Sequence, residues 1–360
     1  MGKHEQVKSK VKPEKKEKIG SKNSKKKKII KRVIIALIII FVILAGIIYA
    51  FIQDKLNKID YVELNSDELE ISENVAKGYR NIALFAVDSR NLNNDDGSRS
   101  DGIIILSINE ETKDIKLASV YRDTYVQVEG HGLTKITHAY AYGGPTLAIK
   151  TLNQNLDLNI SQFVSVNFDS VATAIDAMGG VEIKIENDEV SQMNKYIQET
   201  SKLTGKSAST IPSAGTYNLN GVQAVTYGRI RKTTGGDYKR TERMRTVIMK
   251  AFAKAKKMDL GTLNNVIDGI LANKNIKTNI ESGEILGLLT QIGSYNIDNN
   301  LGWPYKTEGI TLDAWYGVPV TLESNVKQLH QELFNQENYE VPESVKEISN
   351  KIVTKTGYKE

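Results

Sequence analysis

The chain has 360 residues, 40% of them hydrophobic and 25% charged, enough for a tail, a membrane segment and one large or two small domains. It contains no cysteine, which excludes disulfide frameworks, thiol nucleophiles and Cys-ligated zinc. The net charge of +5 is unevenly spread: residues 1–32 are strongly basic and the remainder is net acidic.

Residues 33–52 carry no charge and are rich in Ile, Val and Leu. As a helix rising about 1.5 Å per residue, that run spans roughly the 30 Å of a bilayer core. The long basic region before it and the poor cleavage site at Tyr49-Ala50-Phe51 argue against a removed signal peptide. The reading is a permanent anchor, with residues 1–32 as a cytoplasmic tail and everything beyond 52 outside the cell membrane. The tract Lys25-Lys26-Lys27-Lys28 has no interleaved aromatics and abuts the span, so it is assigned to anionic lipid headgroups rather than nucleic acid. Residues 53–77 read as a stalk, 78–336 as the globular domain and 337–360 as a C-terminal tail.

Short apolar runs predict strands over 82–87, 103–108 and 116–121. The connection from the second to the third is short enough for an antiparallel hairpin. In a three-strand meander, the end of the first strand, the start of the second and the end of the third share one edge. That edge carries Asp88, Arg99, Asp101 and Arg122. Farther along, helices are expected over 146–156 and 169–178, the latter stopped by Gly179-Gly180. Strands are expected over 162–167 and 181–185, a mobile loop over 202–213 and a short helix over 221–227. Met244, Val247, Ile248, Ala251, Phe252 and Ala255 form a helical stripe on which Arg240 also falls, with Asp237 as its cap. One or two helices, an edge strand over 310–320 and a final helix through 334 complete the domain.

The arginines carry the chemical signal. Arg80, Arg90, Arg99 and Arg122 form one group and Arg229, Arg231, Arg240, Arg243 and Arg245 another; no arginine follows, though lysine stays common. A guanidinium presents a planar fork that matches phosphate oxygens two at a time, so this usage points to a polyanion or pyrophosphate site built from distant segments. Asp88 and Asp101 are candidate Mg²⁺ ligands, hard oxygens of the kind shared with substrate phosphates; by spacing alone a loop of solvated acids is the stronger reading. The four histidines show no ligand spacing, and no nucleophile elbow, Walker loop or dinucleotide fingerprint is present. Trp303 and Trp315, beside Pro304 and Pro319, read as core or loop anchors.

Taken together, "NIALFAVDSR", "RSDGIIILSIN", "LASVYRDTYV", "KITHAYAYGG", "VNFDSVATAIDAMGGVEI", "LNGVQAVTYGRIRK" and "GDYKRTERMRTVI" resemble the LytR-CpsA-Psr family of membrane-anchored cell-wall ligases. The resemblance implies an α/β class fold, an α/β/α sandwich with a mixed central sheet, and an apolar pocket for a polyprenyl chain. It implies a phosphotransferase that moves a glycopolymer, of teichoic acid or capsule type, from polyprenyl pyrophosphate to a peptidoglycan sugar hydroxyl, releasing polyprenyl phosphate. Asp88 and Asp101 match the family's Mg²⁺ carboxylates, with Mn²⁺ an alternative ion. Arg99, Arg122, Arg229, Arg231 and Arg240 match its phosphate-binding arginines, and Lys135 and Asp237 match polar site residues. Catalysis falls to Arg122, Arg229, Arg231 and Asp88, and residues 163–166 and 171–175 are expected along the lipid pocket. Three positions depart from the family pattern: Thr137 for Asn, Met244 for Gln, and Tyr121 for Pro. The rival readings are a polyprenyl-pyrophosphate hydrolase and a non-enzymatic envelope regulator or wall-polymer-binding protein.

Overall fold

The computed structural model describes residues 60–359 apart from 90–91, 93–96, 234 and 272–275. The anchor and tail expected before residue 53, and Arg90, lie outside these. Among the described residues no helix is long and apolar enough to cross a membrane.

A two-residue strand β1 (Asp60–Tyr61) precedes the three central strands β2 (Tyr79–Val87), β3 (Ser100–Asn109) and β4 (Asp114–Val120). β2 pairs antiparallel with β3, and β3 with β4, the expected meander. Alternation along these strands sends side chains to opposite faces. Ala83, Phe85, Val87, Ile105 and Val120 enter one core, whereas Ile82, Ile104, Ile108 and Leu117 enter another. That two-sided burial is why the strands read as continuous apolar runs.

A hairpin of β5 (Tyr125–Val128) and β6 (Gly132–Lys135) leads into α1 (Ile136–Leu156). The helix begins ten residues before its expected start because the backbone breaks at Gly143 and Gly144 and then resumes. Pro145 sits just after that break, in the first turn of the resumed helix, where a missing N–H costs little. Next come β7 (Gln162–Val166), α2 (Phe168–Ala177), β8 (Val181–Ile185), α3 (Asn187–Thr204), β9 (Gly215–Leu219), α4 (Gly221–Arg229) and α5 (Gly236–Ala255). A Cβ on Gly221 would collide with the Ala172 carbonyl, so glycine at the start of α4 is what lets it close onto α2. The segment after α3, expected as a mobile loop, is tied down: the Asn194 amide bonds both the N–H and C=O of Ile211, which is 3% exposed.

The chain then forms α6 (Leu260–Leu271), β10 (Ile276–Thr278), α7 (Ser282–Thr290), β11 (Asn296–Trp303), β12 (Thr307–Thr311), β13 (Trp315–Pro319), α8 (Leu322–Phe334) and α9 (Glu343–Thr356). The seven-stranded mixed sheet runs β1-β10-β7-β2-β3-β4-β11, with α1, α8 and α9 packed into the core on one face and α5 and α7 on the other. The expected α/β/α layering with a mixed central sheet is therefore present.

Two further expectations are corrected. The edge strand over 310–320 is a separate hairpin, β12 pairing antiparallel with β13, because Asp313 and its neighbours turn the chain. Residues 337–360 are not a loose tail. Val345, Ile348 and Ile352 of α9 are at most 4% exposed and join the main core. Their spacing of three and four residues puts them on one helical face. Leu69 and Val75, in the expected stalk, join the same core.

Candidate functional site

The site grows from one edge of the sheet. Ala86 pairs with Gly102 and Val87 with Ser100, so Asp101 is the extra residue of a β-bulge. A bulge re-aims a side chain out of the ladder's alternation, and here it delivers a carboxylate into a cluster of arginines. Asp101 accepts from Arg122 Nη1 at 2.5 Å and Arg231 Nη2 at 2.9 Å, with Arg240 Nη1 at 3.8 Å. Arg122 comes from the end of β4, Arg231 from the segment after α4 and Arg240 from the first turns of α5, so three distant segments converge. Thr137, a departure from the family pattern, fixes this bulge: its hydroxyl donates to the Ser100 carbonyl at 2.8 Å.

Electrostatics follow from that packing. Burial opposes ionisation of Asp101, but Arg122, Arg240 and Arg231 outweigh it and hold its carboxyl below the usual range. Arg240 is 1% exposed, and burial pulls its guanidinium down to about 10 against the opposing pull of Asp237. It donates to the Asp101 carbonyl at 3.0 Å and to Asp237 Oδ2 at 3.2 Å. Asp237 is therefore a partner of Arg240, and of Arg122 at 3.7 Å, rather than a helix cap; Gly235 holds the cap position. The buried Nε groups of Arg122 and Arg240 face carboxylates, 3.5 Å from Asp123 and 3.2 Å from Asp237, without a well-aligned hydrogen bond.

A polar pocket is lined by Asp88, Asp101, Arg229, Arg231, Arg240 and Glu199 among others. Arg229 lies over the Phe168 ring at 4.9 Å and donates to Glu199 at 2.7 Å and to Thr200 at 3.1 Å. Glu199 is 56% exposed, and such an exposed ion pair is weak enough for a phosphate to displace. Lys135 stands farther off, bound to Asp123 at 2.7 Å. Arg99 is exposed at the sheet edge, near enough to His138 that, after burial, it and Lys135 depress the imidazole's pKa.

An apolar pocket adjoins the polar one and shares Phe168, Arg229 and Met244 with it. Val164, Val166 and Val171 contribute to its wall, but Phe163 and Ile175 face the cores instead; period-2 alternation along β7 separates Phe163 from its neighbours. Gly102 leaves room for Met244, whose sulfur would be 3.2 Å from a Cβ there.

The structure thus gathers Asp88, Asp101, Arg229, Arg231 and Arg240 in one pocket, links Arg122 and Asp237 to it, and sets Lys135 and Arg99 beside it. Sequence reasoning missed Glu199, Tyr196 and Asp123. Asp123, adjoining Arg122 in a polar pair at a strand end, carried a readable signal; Glu199 and Tyr196, on an exposed helical face, carried none. Two arginines of the second group are structural. Arg243 donates to Glu189 at 2.6 Å, both side chains under 5% exposed, and Arg245 lies buried close to Tyr121.

Asp88 and Asp101 bear on metal binding. Mg²⁺ is commonly held by one or two carboxylates together with substrate phosphates and water. Two carboxylates on one pocket wall beside phosphate-type donors are such a set. Among the described residues no three His, Asp or Glu side chains gather as a metal site, so phosphate oxygens and water would supply the remaining ligands.

The chain is similar to known proteins in sequence and in fold. The LytR_cpsA_psr family model matches residues 47–334. The chain is 29% identical to the polyisoprenyl-teichoic acid–peptidoglycan teichoic acid transferase TagT of Bacillus subtilis, over 74% of this chain and 84% of that one. It is 34% identical to the corresponding TagU of Oceanobacillus iheyensis, over 68% and 72%. Its fold matches a solved structure described as LytR-CPS2A-psr family protein YwtF (TagT) with bound octaprenyl pyrophosphate lipid, with a TM-score of 0.53 and 22% identity, over 78% of this chain and 94% of that chain.

Proposed function

The chain belongs to the LytR_cpsA_psr family, and from that premise we propose that it transfers a glycopolymer from a polyprenyl-pyrophosphate carrier to a peptidoglycan sugar hydroxyl, releasing polyprenyl phosphate. The observation that carries this reading is the pair of joined pockets: an apolar one running into an arginine-lined one through Phe168, Arg229 and Met244. Such a pair suits an amphiphile with a long hydrocarbon tail and a diphosphate head. The relatives named as transferases and the neighbour described with octaprenyl pyrophosphate support the same substrate class.

In this mechanism the polyprenyl chain occupies the apolar pocket and the diphosphate lies over Arg229, Arg231 and Arg240, with Arg122 beyond. The acceptor hydroxyl attacks the phosphorus that bears the glycopolymer. A new P–O bond forms, the bridging P–O bond breaks, and polyprenyl phosphate departs with the bonding electron pair. The guanidiniums of Arg122, Arg231 and Arg240, held in place by Asp101 and Asp237 before substrate arrives, and that of Arg229, held by Glu199, stabilise the charge that builds on the phosphoryl oxygens. Asp88 is exposed on the pocket wall, and one of its carboxylate oxygens takes the hydroxyl proton while the other is left to a metal ion. Mg²⁺ held by Asp88 and Asp101 would neutralise charge on the diphosphate. A cytoplasmic tail with an anchor at 33–52 would place the domain at the outer membrane surface, where a lipid-linked donor is presented.

The test is an assay of the full-length protein with lipid-linked glycopolymer and peptidoglycan fragments, scoring attached polymer against free polymer phosphate. Attachment is expected. Only free product with ample acceptor would establish a hydrolase, and no turnover of any lipid-linked donor would leave a binding or regulatory protein.

A further inference from the structure

Trp315 has no part in the transfer chemistry described above, yet its setting is unusual. It opens β13 on the outward face of the β12–β13 hairpin. Gly309 and Gly317 form a cross-strand pair in that hairpin, with Trp315 opposite Thr311 one pleat away on the same face. A Cβ on Gly309 would come within 3.0 Å of the indole Nε1, and one on Gly317 within 3.7 Å of Cη2. The indole therefore lies along a floor of two glycines. It remains 45% exposed, whereas Tyr316 and Val318, pointing the other way, enter the core.

A second exposed aromatic stands on the same side. Tyr238, 38% exposed, lies beside Thr307 of β12 and meets Tyr121 edge-on at 4.5 Å. Tyr121 is the residue that replaces the family's proline, and its hydroxyl packs against Gly302. The hairpin is joined to the arginine cluster, because the Gly317 N–H donates to the Asp123 carbonyl at 3.0 Å and Asp123 neighbours Arg122 at 3.5 Å. Exposed aromatics held rigid beside a polar site offer an apolar face with a wet rim. That combination matches a pyranose ring, which has C–H faces and hydroxyl edges.

We propose that Trp315 and Tyr238 form the subsite that seats the acceptor sugar of the glycan strand. The inference rests on the transferase reading. Its choice of acceptor over donor sugar follows from reaction geometry: phosphoryl transfer needs attacking and leaving oxygens roughly in line. The leaving polyprenyl phosphate lies toward the lipid pocket, so the attacking hydroxyl arrives from the opposite side, past Arg122, where the hairpin stands.

The chain has two tryptophans and Trp303 is fully buried, so sugar-dependent changes in tryptophan emission report on Trp315. Titrating the detergent-solubilised full-length protein with a tetrasaccharide of N-acetylglucosamine should give a saturable blue shift. Trp315→Ala should raise the acceptor KM roughly tenfold, the worth of one good aromatic contact, with kcat and the donor KM little changed. Trp315→Phe should recover part of that loss. Emission indifferent to saturating tetrasaccharide, or a Trp315→Ala effect that appears in the donor KM, would overturn the proposal. Sugar binding at Trp315 in a protein that transfers no polymer would instead count against the transferase reading and leave the sugar subsite standing.

Discussion

Replacing Asp101 by Asn keeps its shape and removes its charge, and the structure sets the cost. Asp101 neutralises Arg122 and Arg240, of which Arg240 is 1% exposed; its pair with the 45%-exposed Arg231 is screened by water and adds little. Removing one partner of a buried ion pair typically costs about 3–5 kcal/mol. Asp237 remains within 3.2 Å of Arg240, which puts the expected loss below that range, at about 2–3 kcal/mol, or roughly 5–10 °C in Tm for a domain of this size. Asp88 is exposed, and among the described residues no arginine forms an ion pair with it, so Asp88→Asn should leave Tm within about 1–2 °C while abolishing transfer. The pH dependence has a definite sign. The folded pKa of Asp101 is depressed, so its contribution is present above the unfolded value of 3.8 and disappears as pH falls through the folded value. Thermal melts of wild type and Asp101→Asn should therefore be well separated at pH 7 and converge below pH 3.8. Equal melting temperatures at pH 7, or a gap that persists in acid, would refute this account of the cluster.

The meander was legible because its strands are buried on both faces and separated by connections of telling length, and the meander alone gathers Asp88, Asp101 and Arg122. The bulge that singles out Asp101 was not legible, since Arg99-Ser100-Asp101-Gly102 has no sequence mark separating a bulge from a regular pair. Arg240 could be placed on the apolar stripe of α5 by period alone. Its neighbours Arg243 and Arg245 fall at the margins of that stripe, and it is Glu189, on another helix, that makes Arg243 a structural cation. The apolar pocket was half readable. The run at 162–167 announces a buried strand, but which side chains face a cavity depends on how closely α2, α4 and α5 approach, and that is set by small residues such as Gly221 and Gly102. Residues 337–360 were misread because α9 is short and mostly polar, with a single narrow apolar face.

Three further expectations follow from the site and the core. Arg229→Ala should lower the transfer rate roughly a hundred- to a thousandfold, as loss of one preorganised donor does, and Arg229→Lys should restore only part of it because the fork is gone; full activity in the lysine variant would show that charge alone suffices. Val225→Trp, on the wall of the apolar pocket, should weaken binding of a polyprenyl pyrophosphate more than tenfold at an overpacking cost of about 1–3 kcal/mol, while inorganic pyrophosphate still binds; equal loss for both ligands would mean that the hydrocarbon tail is seated elsewhere. The last expectation concerns α9. Ile352 is fully buried and packs in the main core with Val345 and Ile348. Truncating such a side chain costs about 2–5 kcal/mol, because the lost transfer energy is compounded by the cavity left behind. Ile352→Ala should thus lower Tm by roughly 5–15 °C, whereas Lys351→Ala, one residue away and exposed, should leave it within about 1–2 °C. If α9 were instead a detachable tail, both variants would melt with the wild type, and removing residues 337–360 altogether would do no harm.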